Sequence, residues 1–229
     1  MKILIFGATG MVGQGVLREC LLDPGVTEVV ALVRKPTLPA HAKLREVTHA
    51  DFFDYRAVEP EFTGFDACFF CLGVSSAGLP EAEYRRLTRD LTLAAAEVLA
   101  RLNPALTFVY VSGAGTDGTE RGRTMWARVK GETENALRRL PFKAVYLFRP
   151  GLIQPLHGIR SRTGWYQALY TVMKPALPLL RRLFPKAILT TEELGRAMIR
   201  VAREGASTPI LEAPDLIALG APPARATAP

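Results

Sequence analysis

Short apolar runs with little charge alternate along the chain with stretches in which apolar residues recur at helical spacing. The two periods predict strands and helices respectively. Lys2–Phe6 reads as a buried strand, because nothing after Lys2 carries charge before the run ends. Val12, Val16 and Leu17 open a helix over Val12–Leu22, and the Asp23-Pro24-Gly25 turn closes it. Glu28–Val33 is a second strand, Leu44–Thr48 a short third and Phe65–Leu72 a fourth. Leu87, Leu91, Ala94, Ala95, Val98 and Leu99 lie at helical spacing within Glu81–Arg101. Leu106–Ser112 is a fifth strand. Met125–Leu140 is a helix whose Glu134 stands four residues before Arg138, the favourable order for a surface ion pair. Lys143–Phe148 is a sixth strand, Thr190-x-x-Glu193 a capping box that starts a helix to about Ala202, and Pro209–Glu212 a last edge strand. This alternation predicts an α/β fold of the doubly wound, Rossmann type, a parallel sheet with helices on both faces. No repeat or composition break divides it, so residues 1–218 form one domain and 219–229 a low-complexity, disordered tail.

The first strand breaks into Gly7-Ala8-Thr9-Gly10-Met11-Val12-Gly13. Three glycines at G-x-x-G-x-x-G spacing between a strand and a helix supply a tight turn, close backbone approach to a pyrophosphate and close helix packing. The helix N-terminus behind them offers unpaired N–H groups to phosphate. Gly7, Thr9, Gly10, Met11, Val12 and Gly13 are therefore candidate dinucleotide contacts. A site for NAD would place an acid at the end of strand two, on the ribose hydroxyl. This chain has Arg34 and Lys35 there, which suit the extra 2′-phosphate of NADP(H); the alternative is two solvated surface cations. Past strand three, Asp51 could accept from the adenine amino group with the Phe52 backbone beside it, or simply hold a turn. Strand four ends in Cys71-Leu72-Gly73, where a glycine lets backbone pass close to the cofactor.

Strand five ends in Val109-Tyr110-Val111-Ser112-Gly113-Ala114-Gly115, and Trp126-Ala127-Arg128-Val129-Lys130 begins 14 residues after Ser112. Here the chain resembles the short-chain dehydrogenase/reductase superfamily, and most closely its atypical, NmrA-like branch with the Tat-interacting-protein-like oxidoreductases. The likeness rests on Gly-Ala-Thr-Gly-Met-Val-Gly, Leu-Val-Arg, Cys-Leu-Gly, Val-Ser-Gly-Ala, Val-Lys-Gly-Glu-Thr-Glu and Phe-Arg-Pro-Gly. It implies that Ser112 orients a substrate carbonyl and that Lys130 bonds the nicotinamide ribose and lowers a neighbouring phenol pKa. It also implies that Arg149-Pro150-Gly151 brings backbone to the nicotinamide end. The family's Tyr-x-x-x-Lys tyrosine is Trp126 here, and an indole N–H cannot act as a general acid near neutral pH. Tyr166, His157 or a water network are the candidate replacements. Without the resemblance, Ser112 is a cap-like serine and Lys130 a surface lysine.

A chain of 229 residues suits one full α/β core. Its net charge of +7 is scattered (Arg34-Lys35, Arg85-Arg86, Arg138-Arg139, Arg181-Arg182) with no reader motif, which argues against nucleic acid. A strand at the very start leaves no room for a targeting peptide, and no apolar run is long enough to span a membrane. Three cysteines suggest a reducing compartment, and together these features predict a cytoplasmic protein. Cys68 and Cys71 lie within an apolar strand and point to opposite faces, so they neither bridge nor share a metal. Between residues 154 and 185, Trp165, Tyr166, Leu169, Tyr170, Met173, Leu177, Leu180 and Phe184 form an apolar stripe. It reads as a substrate lid, a membrane-facing helix, short helices covering the sheet end, or a dimer contact. Two functions follow: an NADP-dependent oxidoreductase on a small carbonyl or hydroxyl substrate, or an NADP(H)-binding redox sensor that regulates a protein partner.

Overall fold

The computed structural model describes residues 1–159 and 187–222. Its centre is a seven-stranded, wholly parallel sheet in the order β3-β2-β1-β4-β5-β6-β9. The strands are β1 (Lys2–Phe6), β2 (Glu28–Val33), β3 (Leu44–Thr48), β4 (Ala67–Phe70), β5 (Thr107–Val111), β6 (Ala144–Arg149) and β9 (Ile210–Glu212). Between the last two, β7 (Leu152–Gln154) and β8 (Ile188–Thr190) pair as a separate parallel ladder that the hydrophobic pattern did not disclose. The order reverses between β1 and β4, which is where a doubly wound sheet opens a ligand crevice at its carboxyl edge.

One face of the sheet packs α1 (Met11–Leu22), α5 (Thr191–Glu204) and α6 (Ala213–Gly220) around Ile3, Ile5, Val29, Phe69, Leu194 and Met198. The other packs α3 (Leu91–Leu102) and α4 (Met125–Leu137) around Leu4, Phe6, Phe70, Phe108, Tyr110 and Leu99. Cys68 belongs to this second core and Cys71 lies against the first, as strand alternation requires. The predicted capping box forms: Glu193 N–H donates to Thr190 Oγ1 at 3.1 Å, and Thr190 N–H to Glu193 Oε2 at 2.7 Å.

Three predicted elements change. The fourth strand shortens to β4, although Cys71 N–H still donates to the Phe6 carbonyl at 2.9 Å. The helix predicted over Glu81–Arg101 is α2 (Glu81–Arg85), a π-turn over Arg86–Asp90, and then α3. Such a turn inserts a residue into the helical ladder without breaking it, and periodicity over a long window averages across it. The helix predicted over Met125–Leu140 ends at Leu137, four residues before Pro141, whose ring would crowd the Leu137 carbonyl in a continuing helix. The apolar stripe Trp165–Phe184, including Tyr166, and the tail residues 223–229 lie outside the described residues.

Candidate functional site

Gly7 follows β1 with φ of +79°, a left-handed conformation that glycine adopts without strain. A Cβ there would stand 2.9 Å from the Cys71 carbonyl and the Leu72 nitrogen, so β1 and β4 leave the sheet in contact at this point. Gly10 N–H donates to the Gly7 carbonyl at 2.9 Å, tightening the turn, and Gly10 then caps α1. A Cβ on Gly13 would lie 2.0 Å from the Gly7 carbonyl oxygen, so only glycine lets the first turn of α1 rest on the loop. No side chain caps α1 and no acid occupies its first turn. The N–H groups of Met11, Val12 and Gly13 and the positive end of the helix dipole are thus left for an anion, beside Thr9.

Arg34 and Lys35 follow β2 directly, exposed and without an ion-pair partner among the described residues. Asp51 is exposed, and its Oδ1 accepts from Phe53 N–H at 2.9 Å, which is the turn reading. Phe52 is half-buried and stands edge-on to Phe6 with ring centroids 6.5 Å apart. Cys71 and Leu72 are half-exposed at the end of β4, and Gly73 has open space where a Cβ would be. Burial pushes the Cys71 thiol up to about 12, which makes it a poor redox group at neutral pH. Among the described residues, no group of three or more His, Cys, Asp or Glu could hold a metal ion.

At the end of β5 the structure brings Ser112, Trp126, Lys130 and Glu134 together. Trp126, Lys130 and Glu134 are four residues apart and form one stripe along α4 facing the strand end. The Trp126 ring packs 3.5 Å from the Cβ position of Gly115, whose φ is +82°. Lys130 Nζ donates to the Ser112 carbonyl. Lys130 is half-buried, and desolvation, opposed by the charge of Glu134, lowers its pKa to about 8. Ser112 is 4% exposed, and its Oγ donates to Glu134 Oε1 at 2.6 Å, with the Phe148 carbonyl at 3.1 Å. Arg149, at the end of β6, donates to both oxygens of Glu134, at 3.1 Å from Nε and 2.5 Å from Nη2, and to Glu212 at 3.3 Å. Beyond the strands, Ala114 N–H donates to the Pro150 carbonyl at 2.9 Å, which holds Pro150-Gly151 beside the Gly113–Gly115 turn.

Two readings need correcting here. Glu134 is not a surface partner of Arg138; its side chain is 1% exposed and turns inward to Ser112 and Arg149. Lys130 is correspondingly not a surface lysine. The helical spacing of Trp126, Lys130 and Glu134 was the available signal for this network. The i,i+4 charge rule pointed instead along the helix surface to Arg138. His157, one candidate proton donor, lies elsewhere: it pairs with Glu192 at the start of α5. There it helps line a cleft of about 580 Å³ with Thr9, Gln14, Leu17, Leu21 and Leu38. That cleft flanks α1, where the connection from β2 to β3 carries no helix, and it contains neither Lys130 nor Trp126.

Residues 7–150 match the NAD(P)H-binding family. The chain is 30% identical over 159 residues to the mitochondrial protein fmp52 of Emericella nidulans, across 66% of each chain. It is 28% identical over 155 residues to HTATIP2 of Rattus norvegicus, across 66% of this chain and 62% of that one. The matches thus span just under two-thirds of these relatives. A further relative, the mitochondrial FMP52 of Saccharomyces cerevisiae, is 30% identical over 71% of this chain and 69% of its own. The fold superimposes on the Bordetella bronchiseptica enzyme WbmF in complex with NAD+ with a TM-score of 0.67 at 16% identity, covering 95% of this chain and 76% of that one. It also matches the UDP-glucose 4-epimerase of Thermotoga maritima with a TM-score of 0.68 at 14% identity, covering 93% and 76%. These likenesses show a Rossmann-type fold. The relatives named mitochondrial overturn the cytoplasmic expectation. That reading leaned on the strand at the start of the sequence, the lack of a spanning run and cysteine usage, and the last reports a reducing environment without singling out one compartment.

Proposed function

The chain belongs to the NAD(P)H-binding family, within the atypical, NmrA-like branch of the short-chain dehydrogenase/reductases, and on that premise we propose that it is an NADP(H)-dependent oxidoreductase acting on a small carbonyl or hydroxyl substrate. The observation that carries the reading is the pairing of an uncapped α1 N-terminus behind Gly7–Gly13 with a half-buried Lys130 at the same carboxyl edge of the sheet. In this reading the N–H groups of Met11, Val12 and Gly13 hold the pyrophosphate, and Thr9 and Gly10 shape the loop around it. Arg34 and Lys35 pair with the 2′-phosphate, which favours NADP(H) over NAD(H). Asp51, Phe52, Cys71, Leu72 and Gly73 border the adenosine half, and Pro150-Gly151 the nicotinamide end. A bound nicotinamide supplies or accepts the hydride.

Lys130 carries three protons, of which one goes to the Ser112 carbonyl. The other two are free for a ribose hydroxyl and a substrate oxygen. The proton of Ser112 is committed to Glu134. Its part is then to anchor Lys130 through its carbonyl rather than to orient a substrate carbonyl.

Calorimetric titration with NADPH and NADH, followed by turnover of an aldehyde and ketone panel, tests the proposal. NADPH should bind at least tenfold more tightly. Equal affinities would remove the case for Arg34, and failure to bind either would remove the cofactor site. Trp126 favours a second reading, an NADP(H)-binding redox sensor that turns nothing over. Tight NADPH binding with no turnover in the wild type, and none gained in Trp126→Tyr, would establish that alternative.

A further inference from the structure

We propose that the cleft of about 580 Å³ beside α1 binds a straight-chain carboxylic acid, with the chain along the helix and the carboxylate on Arg18. The cleft exists because an element is missing. Parallel strands are usually joined by a crossover helix, and right-handed crossovers would set a helix between β2 and β3 on the same face as α1. Residues 34–43 make that connection without a helix, so this side of α1 has no helical neighbour among the described residues. Gln14, Leu17, Leu21 and Leu22 line one wall at helical spacing, over about 12 Å of helix at a rise of about 1.5 Å per residue. Leu38, Pro39, Ala40 and Leu44 line the other. The volume falls within the range of small-molecule sites, about 300–1,000 Å³.

The walls are fixed and apolar. Glu46, on β3, accepts from Thr37 N–H at 3.1 Å and Leu38 N–H at 3.2 Å, which holds the connection in place. Leu21, Leu38 and Leu44 pack on the core beneath, whereas Leu22 is 62% exposed, so the wall opens to solvent. A bound chain would take this apolar surface out of water, and that transfer drives its binding. Of the candidate cofactor contacts only Thr9 borders the cleft, and Gln14 Nε2 donates to its carbonyl at 2.9 Å. The site therefore stands beside the pyrophosphate loop and does not depend on the oxidoreductase reading.

Charge selects the head group. Arg18, His41 and His157 line the cleft, and none of its described lining residues is acidic. Arg18 gives Nη1 to Glu19 at 2.5 Å and to Glu192 at 3.4 Å, and Arg196 reaches the same two carboxylates at 3.4 Å each. The two acids and two arginines offset one another, and His157 is bonded to Glu192. Nε and Nη2 of Arg18 make no hydrogen bond among the described residues. These two nitrogens share one edge of the guanidinium and form the fork that a carboxylate meets with two parallel bonds. From the other wall, His41 accepts the Lys43 N–H on Nδ1 at 3.1 Å, so its own proton sits on Nε2 as a further donor. One uncommitted cationic edge above an apolar trough fits a monoanion with an alkyl chain.

Calorimetric titration of the full chain with decanoate, 1-decanol and butyrate, with and without saturating NADPH, tests the assignment. Decanoate should bind, 1-decanol about tenfold more weakly for want of the charged contact, and butyrate at least about 100-fold more weakly for its shorter chain. Arg18→Gln should weaken decanoate about tenfold and leave 1-decanol within about twofold. Ala40→Trp, at an exposed position, should weaken both at least about tenfold by filling the cleft, and it serves alone if Arg18→Gln does not fold. Decanoate that does not bind below about 1 mM, equal affinity for decanoate and 1-decanol, or full affinity in Ala40→Trp would each overturn the proposal. Displacement of decanoate by NADPH would overturn it too, by placing the ligand in the cofactor site. Wild type that binds decanoate but neither NADPH nor NADH would remove the oxidoreductase reading and leave this site standing.

Discussion

Glu134→Ala should be among the more costly single substitutions in this fold. The carboxylate is 1% exposed, accepts from Ser112 Oγ at 2.6 Å, and forms two bonds with Arg149. Removing it leaves the Arg149 guanidinium, 13% exposed, with Glu212 alone among the described residues, at 3.3 Å and with a side chain 48% exposed. Breaking a buried ion pair from one side costs about 3–5 kcal/mol. The remaining Glu212 contact puts this case at the lower end, about 3 kcal/mol. A domain of this size loses roughly 2–4 °C in Tm per kcal/mol, so calorimetry should show a fall of about 6–12 °C. Glu134→Leu combined with Arg149→Met removes both charges and should recover most of that loss, because a buried pair adds little over apolar packing. Set against Glu134→Leu and Arg149→Met alone, the double variant should therefore give a coupling of about 2 kcal/mol or more. Raising the salt concentration should change these numbers little, since the pair is screened from solvent. A Tm fall under 2 °C in Glu134→Ala, or losses that simply add across the cycle, would refute the account.

Three further outcomes follow from the same geometry. Gly13→Ala would set a Cβ 2.0 Å from the Gly7 carbonyl oxygen, and both neighbours are backbone, so α1 must move off the loop; NADPH affinity by calorimetry should fall by at least tenfold, and unchanged affinity would sink the packing argument. Arg34→Ala should weaken NADPH binding about tenfold, in line with one solvent-exposed charged contact, and leave NADH within twofold; equal losses for both would remove the 2′-phosphate role. Lys130 titrates near 8 when folded and about 10.4 when unfolded, so between these values the unfolded chain binds the extra proton and this group's contribution to stability rises with pH. Urea denaturation at pH 8 and 10 should show that rise in wild type relative to Lys130→Met, and identical slopes in the two proteins would contradict it.

The sheet and the glycine loop were legible in the sequence because both rest on local rules. A strand that is apolar throughout and a glycine triad between strand and helix each declare themselves over a few residues. The capping box of Thr190 and Glu193 was legible for the same reason. What could not be read depended on contacts between distant segments. The β7–β8 ladder joins residues on either side of a long insertion, and three-residue strands carry almost no period. The π-turn at Arg86–Asp90 shifts the register of a long helix by one residue, which a six-residue apolar pattern tolerates. Glu134 was misread because a local rule had a ready partner in Arg138, whereas its real partners lie on β5 and β6.

That misreading points to why the network exists. Ser112, Lys130, Glu134 and Arg149 place one hydroxyl and three charges at a strand edge where apolar side chains would pack as well or better. Packing alone does not call for them, and a lysine depressed to about 8 is a standing cost at neutral pH. Trp126, one turn away, shows that the stripe tolerates a large apolar ring at its first position. Only the last two positions, Lys130 and Glu134, are charged, and they are the two that meet the Ser112 backbone and hydroxyl. A protein that merely stored the cofactor could hold it with the glycine loop and the cations after β2. On the proposed oxidoreductase reading, the buried ion pair of Glu134 and Arg149 beside Lys130 is what this edge of the sheet has beyond a loop that holds the cofactor.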